Sequence, residues 1–269
     1  MTPKKIALLT DSSADLRWDQ ARENNIFFVP LRILCRDGEY LDGVDIRGTD
    51  VYQRLHAGEL PQTSLPRVED FAAKLHEIFE KGYDGVIAVM LSSGLSGTCQ
   101  AAMLAAQELR EKYPERKILI VDTLCASSGQ GLLCCLTAKQ REAGATIEEA
   151  AKYAEETKHH LAHWFTVDDL HFLKRGGRVS AATAILGTAL GIKPLLHTDD
   201  AGHLVSVDKA RGRKRVISAM VDRMEKTAIR PQEQTVFISH GDCEEDANKV
   251  AEDVKRRFGV QTVVLNNVG

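Results

Sequence analysis

Three serines and a threonine fall within seven residues, Ser92-Ser93-Gly94-Leu95-Ser96-Gly97-Thr98, directly after the apolar run Val86 to Leu91. The run reads as a buried strand, and Cys99 to Tyr113 reads as a helix. A strand-to-helix turn of this kind places backbone N–H groups and the positive end of the helix dipole at the carboxyl edge of an open sheet, where small anions bind. The hydroxyls add further donors. The loop has no lysine, arginine or metal ligand, so it suits one small anion such as a carboxylate better than a triphosphate with magnesium. A second segment, Pro61-Gln62-Thr63-Ser64, offers another hydroxyl in an extended turn.

The same loop has a catalytic reading. Gly94-Leu95-Ser96-Gly97 resembles the turn that carries a nucleophilic serine in hydrolases, except that the second glycine comes one residue early and Thr98 takes its place. A hydrolase would need a histidine held by a carboxylate, and His240 with Asp242 is the best candidate pair. The loop also has a purely structural reading, in which Ser96 or Thr98 caps the following helix and Thr63-Ser64 caps the next. A phosphotransferase is disfavoured, since neither Gly-x-x-x-x-Gly-Lys-Ser/Thr nor Gly-x-Gly-x-x-Gly occurs.

The elements that must position these residues alternate. Ile6 to Thr10 reads as a strand, with Asp11-Ser12-Ser13 capping a helix through Ala21. Ile26 to Cys35 reads as a strand region and Thr49 to Ala57 as a short helix. Val68 to Lys81 carries Phe71, Leu75, Ile78 and Phe79 on one helical face, and Cys99, Ala102, Met103, Ala106 and Leu109 form a second apolar stripe. Ile118 to Val121 follows as a strand, then helices over Gly131 to Glu142 and Ile147 to His159. This alternation predicts a parallel sheet covered on both faces.

After His159 the pattern changes. A strand at His163 to Val167, a helical patch and the segment Ala181 to Gly191 precede Pro194 to His197 and Leu204 to Val207, which read as a hairpin around Asp199-Asp200-Ala201-Gly202. A helix over Arg213 to Lys226, a strand at Val236 to Ser239, a helix over Glu244 to Phe258 and a strand at Thr262 to Leu265 complete a second α/β unit. The expected fold is α/β with two domains, residues 1–158 and 159–269.

Composition bounds the function. The 269 residues are 43% hydrophobic and 27% charged, with a net charge of −3, as in ordinary globular proteins, and give no global reason to expect nucleic acid or an anionic membrane as partner. No helix-turn-helix pattern, zinc spacing or aromatic-interleaved basic strand suggests nucleic acid. The mostly apolar stretch Ala181 to Leu196 is shorter than a bilayer span of about 20 residues, and no secretory signal is visible. The six cysteines form no Cys-x-x-Cys pair and no zinc spacing with histidine, so reduced thiols in a cytoplasm, with no metal and no cofactor, are expected.

Thr10-Asp11-Ser12-Ser13-Ala14-Asp15-Leu16, Pro61-Gln62-Thr63-Ser64, Leu91 to Thr98, Asp168-Asp169-Leu170 and Leu173-Lys174-Arg175-Gly176-Gly177-Arg178-Val179-Ser180 together resemble the DegV family, in the family's order. The resemblance implies a two-domain protein that holds one fatty acid in a tunnel between its domains. It also implies a bacterial cytoplasmic role in lipid synthesis: a binding subunit without catalysis of its own presents the fatty-acid carboxylate to a separate ATP-dependent fatty acid kinase. The family's carboxylate contacts map onto Thr63 and onto Ser96 or Ser93, with Gly97 at the helix start. Ala181 to Leu190 is expected to line the acyl tunnel. The basic residues Lys174, Arg175 and Arg178, with Lys209, Arg211, Arg213, Lys214 and Arg215, are expected to include the docking surface for the kinase, through Arg175, Arg178 and Arg211 in particular. Family members usually continue into a Gly-x-His-x-Gly-Pro-Gly segment whose histidine reaches the carboxylate. This sequence stops at Asn266-Asn267-Val268-Gly269, so trimming at that point is expected.

Overall fold

A computed structural model describes residues 5–178 and 191–269 of the chain. Its centre is a four-stranded parallel sheet in the order β2-β1-β6-β7. The strands are β1 (Ile6–Asp11), β2 (Ile26–Val29), β6 (Gly85–Met90) and β7 (Lys117–Asp122). All six residues of β6 are buried because helices cover both faces. Ala7, Leu9, Val86, Ala88 and Met90 point to one face, against α3 (Val68–Glu80) and α4 (Thr98–Lys112). Leu8, Ile87 and Val89 point to the other, against α5 (Ser127–Glu142) and α6 (Ile147–Thr157).

Phe71, Leu75, Ile78 and Phe79 are all buried, as the helical stripe predicts. The stripe on α4 differs at one position: Cys99, Ala102, Ala106 and Leu109 are buried, but Met103 is 42% exposed and Ala101 and Ala105 take its place inside. The two faces of α4 that meet the sheet and α3 are lined by alanines, so close helix packing rather than side-chain size selects the buried face.

Two segments depart from the sequence expectation near β1 and β2. The predicted helix through Ala21 is instead a 3-10 turn, Ser12–Ala14, capped by Asp11, then a break, then α1 (Trp18–Glu23). Asp15 ends the turn in the left-handed region, at φ 50°. The single run Ile26 to Cys35 is two strands, split where Pro30 removes a backbone donor. Its second half, β3 (Arg32–Cys35), joins a separate antiparallel sheet of order β4-β3-β5, with β4 (Gly38–Leu41) and β5 (Gln62–Ser64). The short helix α2 (Gly48–His56) lies between β4 and β5 in sequence.

Beyond α6 and a 3-10 turn at Lys158–His160, two small sheets take over. β8 (Trp164–Phe165), β9 (Ile192–Thr198) and β10 (Leu204–Arg211) form an antiparallel sheet of order β10-β9-β8, with α7 (Leu170–Arg175) following β8. The β9–β10 hairpin matches the sequence reading. Its turn is organised by Asp199, whose Oδ1 accepts from Ala201 N (3.0 Å) and His203 N (2.8 Å). β11 (Thr235–His240) and β12 (Thr262–Asn267) pair in parallel and pack with α8 (Arg213–Thr227) and α9 (Glu244–Phe258) around Val221, Val250, Val254 and Val260. Ala181 to Leu190, the expected tunnel lining, lies outside the described residues.

Phe71→Ala is expected to destabilise the protein by about 3–5 kcal/mol, the usual cost of emptying a buried phenylalanine site. Met103→Gln should stay within about 0.5 kcal/mol of the parent, since that side chain is half in water. Chemical denaturation of the two variants checks both, and a large loss in Met103→Gln would contradict the burial assigned to α4.

Candidate functional site

The serine-glycine loop leaves the carboxyl end of β6 and is gripped by two carboxylates from other elements. Asp11, at the end of β1, is fully buried. Its Oδ2 accepts from Leu91 N (3.0 Å) and from Gln130 Nε2 on α5 (3.0 Å). Its Oδ1 accepts from Ser13 N (3.1 Å) and, in a short contact, from Ser13 Oγ. Burial pushes the Asp11 pKa up, and these donors, Ser13 Oγ first, pull it back. On the other flank Asp122, at the end of β7, accepts through Oδ1 from Ser93 N (3.1 Å) and Leu124 N (3.2 Å).

The rest of the loop mostly satisfies itself. Ser92 N donates to Cys125 O (3.0 Å), and Ser92 O accepts from Leu95 N (3.0 Å) and Ser96 N (3.2 Å). Ser92 Oγ accepts from Gly94 N (3.1 Å) and donates to Gly202 O in the hairpin turn (2.8 Å). Ser96 Oγ accepts from Thr98 N at 3.3 Å and pairs with Thr98 Oγ1 at 2.8 Å. The backbone donors expected from the sequence are therefore largely engaged: Ser93, Gly94, Leu95, Ser96 and Thr98 all spend their amides inside the loop or on Asp122. Gly97 N–H, at the cap of α4, has no partner among the described residues. The structural reading is corrected in both halves: Gly97, not Ser96 or Thr98, is in the cap position of α4, although Ser96 Oγ takes the Thr98 amide, and Arg67, not Thr63 or Ser64, is at the cap of α3.

Three neighbours close on this loop. A Cβ at Gly94 would stand 2.9 Å from Ala201 O and Gly202 O, so only glycine lets the hairpin turn seat there. Leu65, two residues past Thr63, reaches to 3.7 Å from the position a Cβ of Gly97 would take, which brings the Thr63 segment and the loop side by side. Thr63 itself is exposed on β5 in register with Ile33, and its hydroxyl, like that of Ser93, has no partner among the described residues. Arg178 Nε donates to Leu95 O (3.4 Å) while its Nη1 donates to Gly176 O (2.6 Å).

Of the other basic residues, Arg175 lies over the Phe172 ring at 4.4 Å and Arg211 is exposed at the end of β10, and neither touches the loop. Arg213 is an internal clamp: it pairs with Asp168 (2.9 Å) and, in a short contact, with Asp246, and Asp168 also pairs with Lys193 (2.9 Å). Lys193 and Arg213 hold the Asp168 carboxyl below its usual range.

The triad the hydrolase alternative requires is not assembled. Asp242 Oδ2 pairs with His56 Nε2 at 2.7 Å, and His240 Nδ1 accepts from Cys243 N at 3.3 Å. A triad histidine donates from Nδ1 to its carboxylate so that Nε2 can take the serine proton. His240 has the opposite arrangement, and the described partner of Ser96 Oγ is Thr98. Cys35, Asp37 and Glu59 lie close enough to suggest a metal, but the Arg54 guanidinium already pairs with Asp37 (2.8 Å) and Glu59 (3.3 Å).

A second buried acid lies at the same edge of the parallel sheet. Asp15 accepts from Gly269 N (2.8 Å) and from Ser127 Oγ, which in turn meets Ser239 Oγ on β11 at 2.6 Å. Burial, with no cation beside it, lifts the Asp15 pKa to about 7, against the lowering effect of Ser127 and Gly269 N and with smaller upward contributions from Asp42 and Asp11. Sequence reading missed Asp11, Asp122, Gln130 and Asp15 as organising residues. Thr10-Asp11-Ser12-Ser13 reads locally as a cap, and nothing local announces that the aspartate reaches Leu91.

Clefts of about 460 Å³, lined by residues including Tyr40, Asp50 and Arg54, and about 360 Å³, between α8 and α9, lie away from Ser96 and Thr63. No helix among the described residues is long and apolar enough to cross a membrane.

Comparison with known proteins gives a consistent picture. The model described as "Uncharacterised protein, DegV family" matches residues 5–269. A DegV domain-containing protein of Clostridium perfringens is 38% identical over 268 residues, covering 99% of this chain and 92% of the relative. The crystal structure of DegV, a fatty acid binding protein from Bacillus subtilis, superposes with a TM-score of 0.84 at 30% identity, covering 98% of this chain and 92% of that one. A stearic acid-binding protein from Eubacterium ventriosum gives a TM-score of 0.87 at 26% identity, with 98% and 91% covered.

Asp15 carries a pH prediction. The unfolded carboxyl releases its proton near 3.8 and the folded one near 7, so between these values the folded state binds more protons and stability falls as pH rises. Asp15→Asn, which keeps the neutral hydrogen-bonding pattern, should flatten this fall. Urea melts of both proteins at pH 5 and pH 8 test it, and identical pH dependence in the two would refute the assignment.

Proposed function

This chain belongs to the DegV family, and on that footing we propose that it binds one long-chain fatty acid and presents its carboxylate at the serine-glycine loop. The carboxylate is held by the hydroxyls of Thr63 and Ser96 and by Gly97 N–H, with the exposed Ser93 hydroxyl at the rim. The observation that carries this reading is the Gly97 N–H beside Ser96 at the start of α4, which has no partner among the described residues, with the Thr63 segment packed alongside. A helix start favours an anion, and a desolvated carboxylate needs such donors, since its burial without them costs several kcal/mol. Structural relatives described as fatty acid binding support the ligand class.

Affinity comes from the tail. Each buried CH₂ contributes about 0.8 kcal/mol, so a long acyl chain supplies on the order of 10 kcal/mol before ordering costs. The head group then sets orientation. The tail runs between the N-terminal α/β domain, 1–158, and the C-terminal domain, 159–269.

The protein has no catalysis of its own in this reading. A cytoplasmic ATP-dependent fatty acid kinase phosphorylates the presented carboxylate, and the acyl-phosphate enters phospholipid synthesis. Arg175 and Arg211, exposed and free of the loop, serve the kinase docking surface by charge attraction. Arg178 belongs to the same surface and also braces Leu95.

Mass spectrometry of lipid released from the purified protein should yield one fatty acid per chain. Thr63→Ala and Ser96→Ala should each lower its retention about tenfold, the loss of one charge-assisted hydrogen bond, with melting temperatures little changed. Unchanged retention in both variants would contradict the assigned contacts. Arg175→Ala and Arg211→Ala should keep the lipid and slow kinase-dependent acyl-phosphate formation. Lipid loss with normal turnover would remove those arginines from the docking surface.

A further inference from the structure

Thr98 is fully buried at the first position of α4, and among the described residues its hydroxyl meets one partner, Ser96 Oγ at 2.8 Å. A hydroxyl carries one proton and two lone pairs. If Ser96 were the donor in this pair, the Thr98 proton would be buried with no acceptor among the described residues, at a cost of about 1–3 kcal/mol. The Thr98 O–H therefore donates to Ser96 Oγ. That oxygen also accepts the Thr98 N–H at 3.3 Å. Both lone pairs of Ser96 are then in use, and its own proton is left to point away from Thr98; Ser96 is half-buried, and the adjacent Gly97 N–H has no partner among the described residues.

We propose that Thr98 is a specificity-determining positioning residue, which fixes Ser96 as an obligate donor so that the site accepts an ionised carboxylate head and discriminates against a neutral alcohol head on the same chain. This rests on the reading of Ser96 as a carboxylate contact. A carboxylate is acceptor-only and takes the Ser96 proton as a charge-assisted hydrogen bond, strengthened because Ser96 is itself polarised by Thr98. An alcohol brings a proton that needs an acceptor, and Ser96, with both lone pairs engaged, offers none, which leaves that proton only the neutral hydroxyls of Thr63 and Ser93. Removing the Thr98 hydroxyl frees one lone pair, so Ser96 can then turn to accept from the alcohol while losing its polarisation toward the acid.

The test is a competition between equimolar octadecanoate and octadecan-1-ol for the delipidated full chain, read as the ratio of the two complexes by native mass spectrometry. The parent protein should favour the acid strongly. Thr98→Val, nearly isosteric, should lower the acid-to-alcohol ratio about tenfold, and Thr98→Ser should restore it. Thr98→Ala removes the same hydroxyl without added bulk and carries the same expectation should the valine variant not fold. A merely structural role would weaken both ligands alike and leave the ratio where it was, which would overturn the proposal. Ser96→Ala separates the two claims. If it lowers the ratio while Thr98→Val does not, the Thr98 assignment is wrong and the carboxylate site stands; if it leaves the ratio unchanged, both fall.

Discussion

A buried carboxylate at the end of the first strand governs the geometry of the serine-glycine loop. Asp11 has almost no contact with water, and its four donors come from three places: the turn after β1, the start of the loop after β6, and α5. A desolvated aspartate that lost one of these donors would be strongly unfavourable, because the remaining bonds could not replace the lost hydration. The three elements are therefore fixed relative to one another, and the loop leaves β6 at a set angle. Asp122 repeats the arrangement on the opposite flank by taking Ser93 N and Leu124 N.

This constraint has a consequence for recognition. Because the loop amides are engaged in holding the loop, few donors are left without a partner among the described residues: the Gly97 N–H, the Ser96 proton, and the hydroxyls of Thr63 and Ser93. A phosphate would want more donors and a cation. In the proposed reading a monoanion with two oxygens takes the few that remain, and a long apolar tail supplies the binding energy that such a sparse head-group site lacks. The hairpin turn seated against Gly94 and the Arg178 contact to Leu95 tie the same loop to residues 110 and 83 positions further along the chain. Anything docking on that side meets the loop and its brace together.

Much of the fold was legible because its signals are local. α9 spans Glu244–Phe258 as read, with acids in its first turn, bases in its last and Gly259 in the left-handed region behind it. The β9–β10 hairpin followed from Asp199-Asp200-Ala201-Gly202 between apolar runs. The misreadings have equally local causes. Ile26 to Cys35 looks continuous in hydropathy, yet Pro30 splits it between two sheets, and Gly38-Glu39-Tyr40-Leu41 is too polar to announce a strand that forms only because β3 pairs with it. At the site, the residue types of Ser96, Thr63 and Gly97 were visible, but the number of free donors was not. That number depends on Asp11 reaching Leu91 across 80 positions and Asp122 reaching Ser93 across 29, which no periodicity encodes.

The central claim is that hydroxyls and an amide at the start of α4 hold an ionised carboxyl group in place. Carbon-13 NMR of octadecanoate labelled at its carboxyl carbon, bound to the full chain and titrated with acid, measures this directly. The account predicts one sharp bound resonance that stays ionised to a pH at or below the ordinary carboxyl range of about 4, and that moves toward a higher pKa in Ser96→Ala. A bound carboxyl that titrates well above that range, and does so equally in the parent and the variant, would contradict it.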